Sequence, residues 1–168
     1  MFLDAATVAT QPDTDLDNRN NAKLSTTQHD ADRQPTSHRM GILSVVYLPA
    51  DRQGSPSPDA DASRARIVTG SEDGVIKIWD VDSGQLLHSL EAHISAVTSL
   101  AVSPDSRRLV SGSRDSTAKI WDPRTGKEIL TLRGHQQEVT SVAFSSDGLC
   151  ILTGSRDGLA ILWESLRE

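Results

Sequence analysis

From Ile42 onward, short runs in which apolar and polar residues alternate are broken every five to eight residues by Pro, Asp, Gly and Ser. A period of two places successive side chains on opposite faces of an extended chain, so the pattern predicts strands and argues against helices. In the middle of the chain the predicted strands are Val97 to Val102, Arg108 to Ser113, Thr117 to Asp122 and Glu128 to Leu132. The turns between them read Ser103-Pro104-Asp105-Ser106, Arg114-Asp115-Ser116 and Pro123-Arg124-Thr125-Gly126. Each residue type suits its place: Pro presets φ, Asp bonds the backbone two residues on, and Gly reaches positive φ without a steric cost. Ser146-Asp147-Gly148 and Arg156-Asp157-Gly158 occupy the corresponding places further on.

The pattern repeats with a fixed period. Trp79, Trp121 and Trp163 are spaced by 42 residues, as are Asp73, Asp115 and Asp157, Gly70, Gly112 and Gly154, and the pair His93 and His135. His38 precedes His93 by 55 residues, and the surplus of 13 falls in a Pro, Gly, Ser and Asp-rich stretch near 50–63, predicted to be a loop insertion. A period of this length, with four short strands per unit, indicates stacked or radially arranged supersecondary units.

The segments Thr69-Gly70-Ser71-Glu72-Asp73-Gly74-Val75-Ile76-Lys77-Ile78-Trp79-Asp80 and Ser111-Gly112-Ser113-Arg114-Asp115-Ser116-Thr117-Ala118-Lys119-Ile120-Trp121-Asp122, with Gly134-His135 ahead of the third unit, resemble the WD40 repeat family. The third unit departs mildly, closing on Trp163-Glu164. The resemblance implies an all-β fold: a partial β-propeller arc of about three four-stranded antiparallel blades over 38–92, 93–134 and 135–168, the last lacking its outer strand. It also implies hydrogen-bonded tetrads, which by matching position are His38, Thr69, Asp73 and Trp79; His93, Ser111, Asp115 and Trp121; and His135, Thr153, Asp157 and Trp163. In such a set each buried imidazole, hydroxyl and indole N–H needs a partner, because an unsatisfied buried group costs about 1 to 3 kcal/mol.

His, Ser and Asp together also invite comparison with a hydrolase triad. A triad needs one exposed nucleophile beside an oxyanion hole. Here the set occurs three times at fixed spacing, with Thr in place of Ser in two copies and a Trp in each, so the structural reading is preferred. Nucleotide-binding, zinc-protease and nucleophile-elbow motifs are missing from the sequence. No catalysis, cofactor or metal is expected.

The resemblance implies that partners bind on the face carrying the loops that lead into each blade. The matching positions are Glu72, Arg114 and Arg156, just before the tetrad Asp, and Gly41, Leu43, Ala96, Thr98, Glu138 and Thr140, at the start of each innermost strand. Arg114 and Arg156 on neighbouring blades suit an acidic or phosphorylated peptide. Trp121-Asp122-Pro123-Arg124 also resembles a short box by which some relatives dock onto a ubiquitin-ligase adaptor, though a hairpin turn explains it equally well.

Composition refines this picture. Leu, Ile, Val and Phe make up 5 of the first 37 residues and 34 of the remaining 131. The first share is below the fraction of about a fifth at which a chain buries enough apolar surface to order, so residues 1–37 are predicted to be a disordered tail. A net charge of −6, with 17 basic against 23 acidic residues, gives no long-range attraction to phosphate backbones, and no nucleic-acid partner is expected. The single Cys150 excludes an internal disulfide, and the five histidines have no Cys partners at zinc-finger spacing. No stretch approaches the roughly 18 apolar residues of a membrane helix, and Met1-Phe2-Leu3-Asp4 lacks the positive flank of a signal peptide, so a cytoplasmic location without membrane association is expected.

Fewer than three blades cannot close a ring, since complete propellers use roughly 4 to 8. The expectation is a noncatalytic protein-interaction scaffold or adaptor whose ring needs self-association or further blades of a longer protein. The alternative is a regulatory segment of a multidomain enzyme, for example one linked to a kinase.

Overall fold

Eleven strands account for the regular structure of residues 37–50 and 64–164, the part of the chain that a computed structural model describes. Residues 1–36 of the predicted tail and 51–63 of the predicted insertion lie outside the described residues. The strands are β1 (Ile42–Leu48), β2 (Arg66–Ser71), β3 (Val75–Asp80), β4 (Leu86–Glu91), β5 (Val97–Val102), β6 (Leu109–Ser113), β7 (Thr117–Asp122), β8 (Lys127–Arg133), β9 (Val139–Phe144), β10 (Cys150–Ser155) and β11 (Ala160–Glu164). They form antiparallel meanders in the orders β1-β2-β3-β4, β5-β6-β7-β8 and β9-β10-β11. The architecture is thus an unclosed arc of three sheets with 4, 4 and 3 strands. Among the described residues there is no helix, and so none long and apolar enough to cross a membrane. β8 runs one residue further at each end than the strand predicted in the sequence, and β6 starts one residue later, because Arg108 still belongs to the preceding turn, where its N–H donates to Ser103 Oγ.

The innermost strands β1, β5 and β9 lie side by side and are stitched by a repeated device. The Leu100 N–H donates to Ser44 Oγ at 3.0 Å, and the Val142 N–H donates to Ser99 Oγ at 3.2 Å. Two apolar cores sit between sheets rather than inside them. The first joins Val68, Ile76 and Ile78 to Val97, Leu100, Leu109 and Trp121; the second joins Val110, Ala118 and Ile120 to Val139, Val142 and Ile151. A middle strand therefore has both faces covered, and every residue of β6 is buried. In β10, by contrast, Ile151 and Thr153 are buried against the second sheet while Leu152, on the opposite face, is exposed.

Close approach of the sheets requires glycine in the second strand. A Cβ built on Gly70 would lie 2.6 Å from Val97 Cγ1, and one on Gly112 would lie 2.7 Å from Val139 Cγ1. The sheets are also tied toward the rim: buried Arg66 donates to the Pro123 carbonyl at 2.8 Å. Pro123 is itself fully buried, and Asp122 Oδ1 accepts the Arg124 N–H at 2.8 Å, so the Trp121-Asp122-Pro123-Arg124 box forms a turn that joins neighbouring sheets.

Candidate functional site

Three constellations of His, hydroxyl, Asp and Trp recur along one rim of the arc. In the second sheet, Ser111 at the middle of β6 is fully buried. Its Oγ accepts the Trp121 indole N–H at 2.9 Å and pairs with His93 Nε2 at 2.8 Å. His93 Nδ1 meets Asp115 Oδ2 at 2.8 Å, and the same carboxylate accepts the Thr117 N–H and hydroxyl. The third sheet repeats this, with His135 Nδ1 to Asp157 Oδ2 at 2.9 Å, His135 Nε2 to Thr153 Oγ1 at 2.8 Å, and the Trp163 indole donating to Thr153 at 2.9 Å. The first sheet is looser. His38 Nε2 is 2.7 Å from Thr69 Oγ1 and the Trp79 indole donates to the same oxygen at 3.0 Å, but His38 Nδ1 stands 3.5 Å from Asp73 Oδ1 and has no hydrogen-bond partner. Both Asp73 oxygens accept backbone N–H groups, from Arg39 and Val75, as the Asp157 oxygens do from Gln136 and Leu159.

Charge follows geometry. Burial works against the charged form of Asp115, but the His93 ring and the Thr117 hydroxyl outweigh it and hold the carboxyl well below the usual range. Burial likewise opposes ionised Asp157, yet the Gln136 and Leu159 amides and the His135 ring bring its pKa down to about 2. Burial pushes the His38 imidazole down, only partly offset by Asp73 and reinforced by Lys77.

The connectivity of Asp, His and hydroxyl is that of a hydrolytic triad, and the surroundings decide against that chemistry. Ser111 and Thr153 are fully buried, and each hydroxyl oxygen also accepts an indole N–H, so it is held inside the sheet rather than presented to a substrate. The hydroxyls and indoles join strands two and three of each sheet, while the histidines pin the preceding loop to it. Among the described residues, no group of three His, Cys, Asp or Glu is placed to hold a metal.

A further residue of this network escaped the sequence reading. Ser71, Ser113 and Ser155 each donate to a carbonyl in the preceding loop (Met40 and Gly41, Ser95, and Gln137, respectively) and each accepts the N–H of the tetrad Asp. They also recur at 42 residues, the signal by which the period would have found them.

The remaining candidate positions divide. Ala96 is buried, and its carbonyl accepts the Arg114 N–H at 3.0 Å. Thr98 is half-buried, and its hydroxyl donates to the Gly112 and Val139 carbonyls, joining the second sheet to the third. Gly41, Leu43 and Thr140 are exposed; Glu72 is partly covered, with its N–H donating to the Gly41 carbonyl at 2.9 Å. The structure brings Arg114, Glu138 and Arg156 together. Arg114 Nε lies 3.3 Å from Glu138 Oε2, and Arg156 Nε pairs with the other oxygen of the same carboxylate. The arginine side chains remain 51% and 70% exposed.

Comparison with known proteins adds to this geometry. A family model described as WD domain, G-beta repeat matches residues 33–80, 84–122 and 126–164. Nuclear distribution protein PAC1 of Arthroderma otae is 33% identical over 70 residues, which cover 42% of this chain and 14% of that protein. Striatin-3 of Bos taurus is 31% identical over 91 residues, or 54% of this chain and 9% of that protein. The matches thus span a small part of these longer relatives. Among solved structures, U3-55K aligns with a TM-score of 0.65 at 27% identity, covering 76% of this chain and 37% of that one. The RRP9 WD40 repeats align at 0.64 and 25% identity, covering 76% and 36%.

Proposed function

Because the chain belongs to the WD40 repeat family, whose members are generally protein-interaction scaffolds, we propose that it is a noncatalytic scaffold presenting its loop-bearing rim to an acidic or phosphorylated peptide. The observation that carries this reading is the Arg114–Glu138–Arg156 cluster. Two exposed guanidinium groups on neighbouring sheets converge on one carboxylate, and that carboxylate occupies the place an incoming anion would take. Guanidinium pairs carboxylate and phosphate bidentately, which favours this class of ligand over a neutral peptide. A cytoplasmic location and the completion of the ring by further blades belong to the same proposal.

The test is fluorescence anisotropy with a labelled acidic phosphoserine peptide and its unphosphorylated counterpart. Glu138→Gln removes the internal competitor and raises affinity for the phosphopeptide, whereas Arg114→Ala and Arg156→Ala each lower it by about tenfold or more, the loss of one charge-assisted pair apiece. Affinity unchanged by these substitutions, or absence of binding, would overturn the reading. Fractionation of cells expressing the tagged chain tests the location.

A further inference from the structure

The two ends of the arc carry the two halves of the joint that holds its sheets together. At each internal junction an apolar side chain at the start of the innermost strand packs against the glycine of the preceding sheet: Val97 on Gly70, and Val139 on Gly112. Ile42 is the equivalent side chain of the first sheet, and it is 55% exposed where Val97 and Val139 are fully buried. Gly154 is the equivalent glycine of the third sheet; a Cβ there would meet only Ser141 Oγ of its own sheet. Around Ile42, Val45 is 62% exposed at the position where Leu100 and Val142 are buried. Around Gly154, Leu152 and Leu162 are 47% and 55% exposed at the positions where Val68, Val110, Ile78 and Ile120 are buried.

The polar parts of the joint are present as well. Ser44 and Ser99 accept the N–H of Leu100 and Val142 in the following sheet, and Ser141 occupies the next such position, with the Val45 N–H as the matching donor at the other end. Thr98 donates across its junction to the Val139 carbonyl; Thr140 is its equivalent, and the Ile42 carbonyl the matching acceptor.

We propose that a second copy of this chain docks head-to-tail on these faces, with Ile42 of one copy seated on Gly154 of the other at two identical junctions, closing a six-sheet ring. Unlike faces that meet head-to-tail generate a ring when the rotation closes, and six sheets fall within the roughly 4 to 8 that do. The occupant is a second copy because the complementary knob and cradle, apolar residues and hydrogen-bonding groups are all carried by the chain itself, in the register of its own internal joints. The proposal rests on the reading of the arc as an incomplete ring, and it adds which molecule completes it.

Ile42→Cys with Gly154→Cys, in a Cys150→Ser background, tests it on the full chain. At the internal joints the equivalent Cβ positions are 3.1 and 3.4 Å apart, so a shift of a few tenths of an ångström brings them to the roughly 3.5 to 4.5 Å of a disulfide, whereas positions 42 and 154 of one copy lie at opposite ends of the arc. Oxidation should give a covalent dimer of twice 18.1 kDa and stop there. A ladder of longer species, or monomer alone together with an unsubstituted chain that is itself monomeric, overturns the ring. Without cross-linking, light scattering coupled to size exclusion should show the same dimer, and Ile42→Asp should weaken it by about tenfold per junction, about a hundredfold in total, while Ile94→Asp, at a rim side chain 98% exposed, leaves it intact. Ile42 is exposed within one copy, so its substitution leaves the folded arc in place, which circular dichroism verifies. A monodisperse monomer that still binds the phosphopeptide would sink the ring and leave the scaffold reading standing.

Discussion

Replacing Ser111 by Ala removes one oxygen at the centre of the second sheet and leaves the backbone and the packing volume almost untouched. Two groups lose their partner together: the Trp121 indole N–H, 2.9 Å away, and His93 Nε2, 2.8 Å away. Both sit where water does not reach, since Ser111 is fully buried, Trp121 is buried and the His93 side chain is fully covered. A buried group left without a partner costs about 1 to 3 kcal/mol, so the pair costs about 2 to 6 kcal/mol, the indole contributing throughout because it can only donate. Ser111→Thr keeps the hydroxyl and matches Thr69 and Thr153 of the other sheets, so it should stay within about 1 kcal/mol of the parent. Equilibrium urea denaturation followed by tryptophan fluorescence measures both, at a protein concentration held constant so that association does not shift the midpoint. A double-mutant cycle with Trp121→Phe isolates the indole bond and should return a coupling of about 1 kcal/mol. Ser111→Ala within about 0.5 kcal/mol of the parent, or equal to Ser111→Thr, would show that the tetrad does not hold the sheet together and would refute the reasoning.

Ser106 and Ser116 adopt φ of 58° and 68° where the corresponding turns carry Gly148 and Gly158 at 72° and 84°, so Ser106→Gly and Ser116→Gly should each stabilise the fold by about 0.5 to 1 kcal/mol; an unchanged or lowered thermal midpoint contradicts this. Gly112→Ala should destabilise by about 1 to 3 kcal/mol, because its Cβ would stand 2.7 Å from Val139 Cγ1 and 2.9 Å from Val142 Cγ1; hydrogen exchange should show β9 and β10 loosening first, and uniform protection would count against it. Asp115 and Asp157 have lowered pKa values, so the unfolded chain takes up their protons first as pH falls. Their contribution is complete above about pH 4 and is lost on acidification, for Asp157 through about 2, and Asp157→Asn should flatten that part of the urea midpoint against pH. The lowered pKa of His38 has the same consequence higher up: its unfolded form protonates first below 6.5, so stability declines from there toward acid, and a His38→Gln variant showing an identical decline would remove this cause.

The local grammar of this protein is written along the chain. Strand and turn identity follow from alternation and from Pro, Asp and Gly at fixed offsets, which act through nearest-neighbour sterics and hydrogen bonds, so β5 and β7 span the residues that pattern alone predicts. The 42-residue register goes further, since it brings one His, one hydroxyl, one Asp and one Trp to equivalent places three times over, and each needs the others once buried. What the period cannot carry is the neighbour across the sheet. Val110 and Leu152 occupy equivalent positions, yet Val110 is fully buried and Leu152 is exposed, because another sheet covers β6 and, among the described residues, none covers that face of β10. The family resemblance points to Ala96 and Thr98 as rim positions, and only the fold shows Ala96 to be buried and the Thr98 hydroxyl to donate to the third sheet. Glu138 takes its place between Arg114 and Arg156 only because two sheets, 42 residues out of step, are set side by side. His38 stands 3.5 Å from Asp73, whereas Asp157 accepts the same pair of backbone N–H groups and still meets His135 at 2.9 Å, a difference between sheets that one shared sequence pattern does not carry. Periodicity reports what each residue meets along its own strand; burial, charge pairing and the open ends depend on which sheets pack together, and that is decided only when the arc assembles.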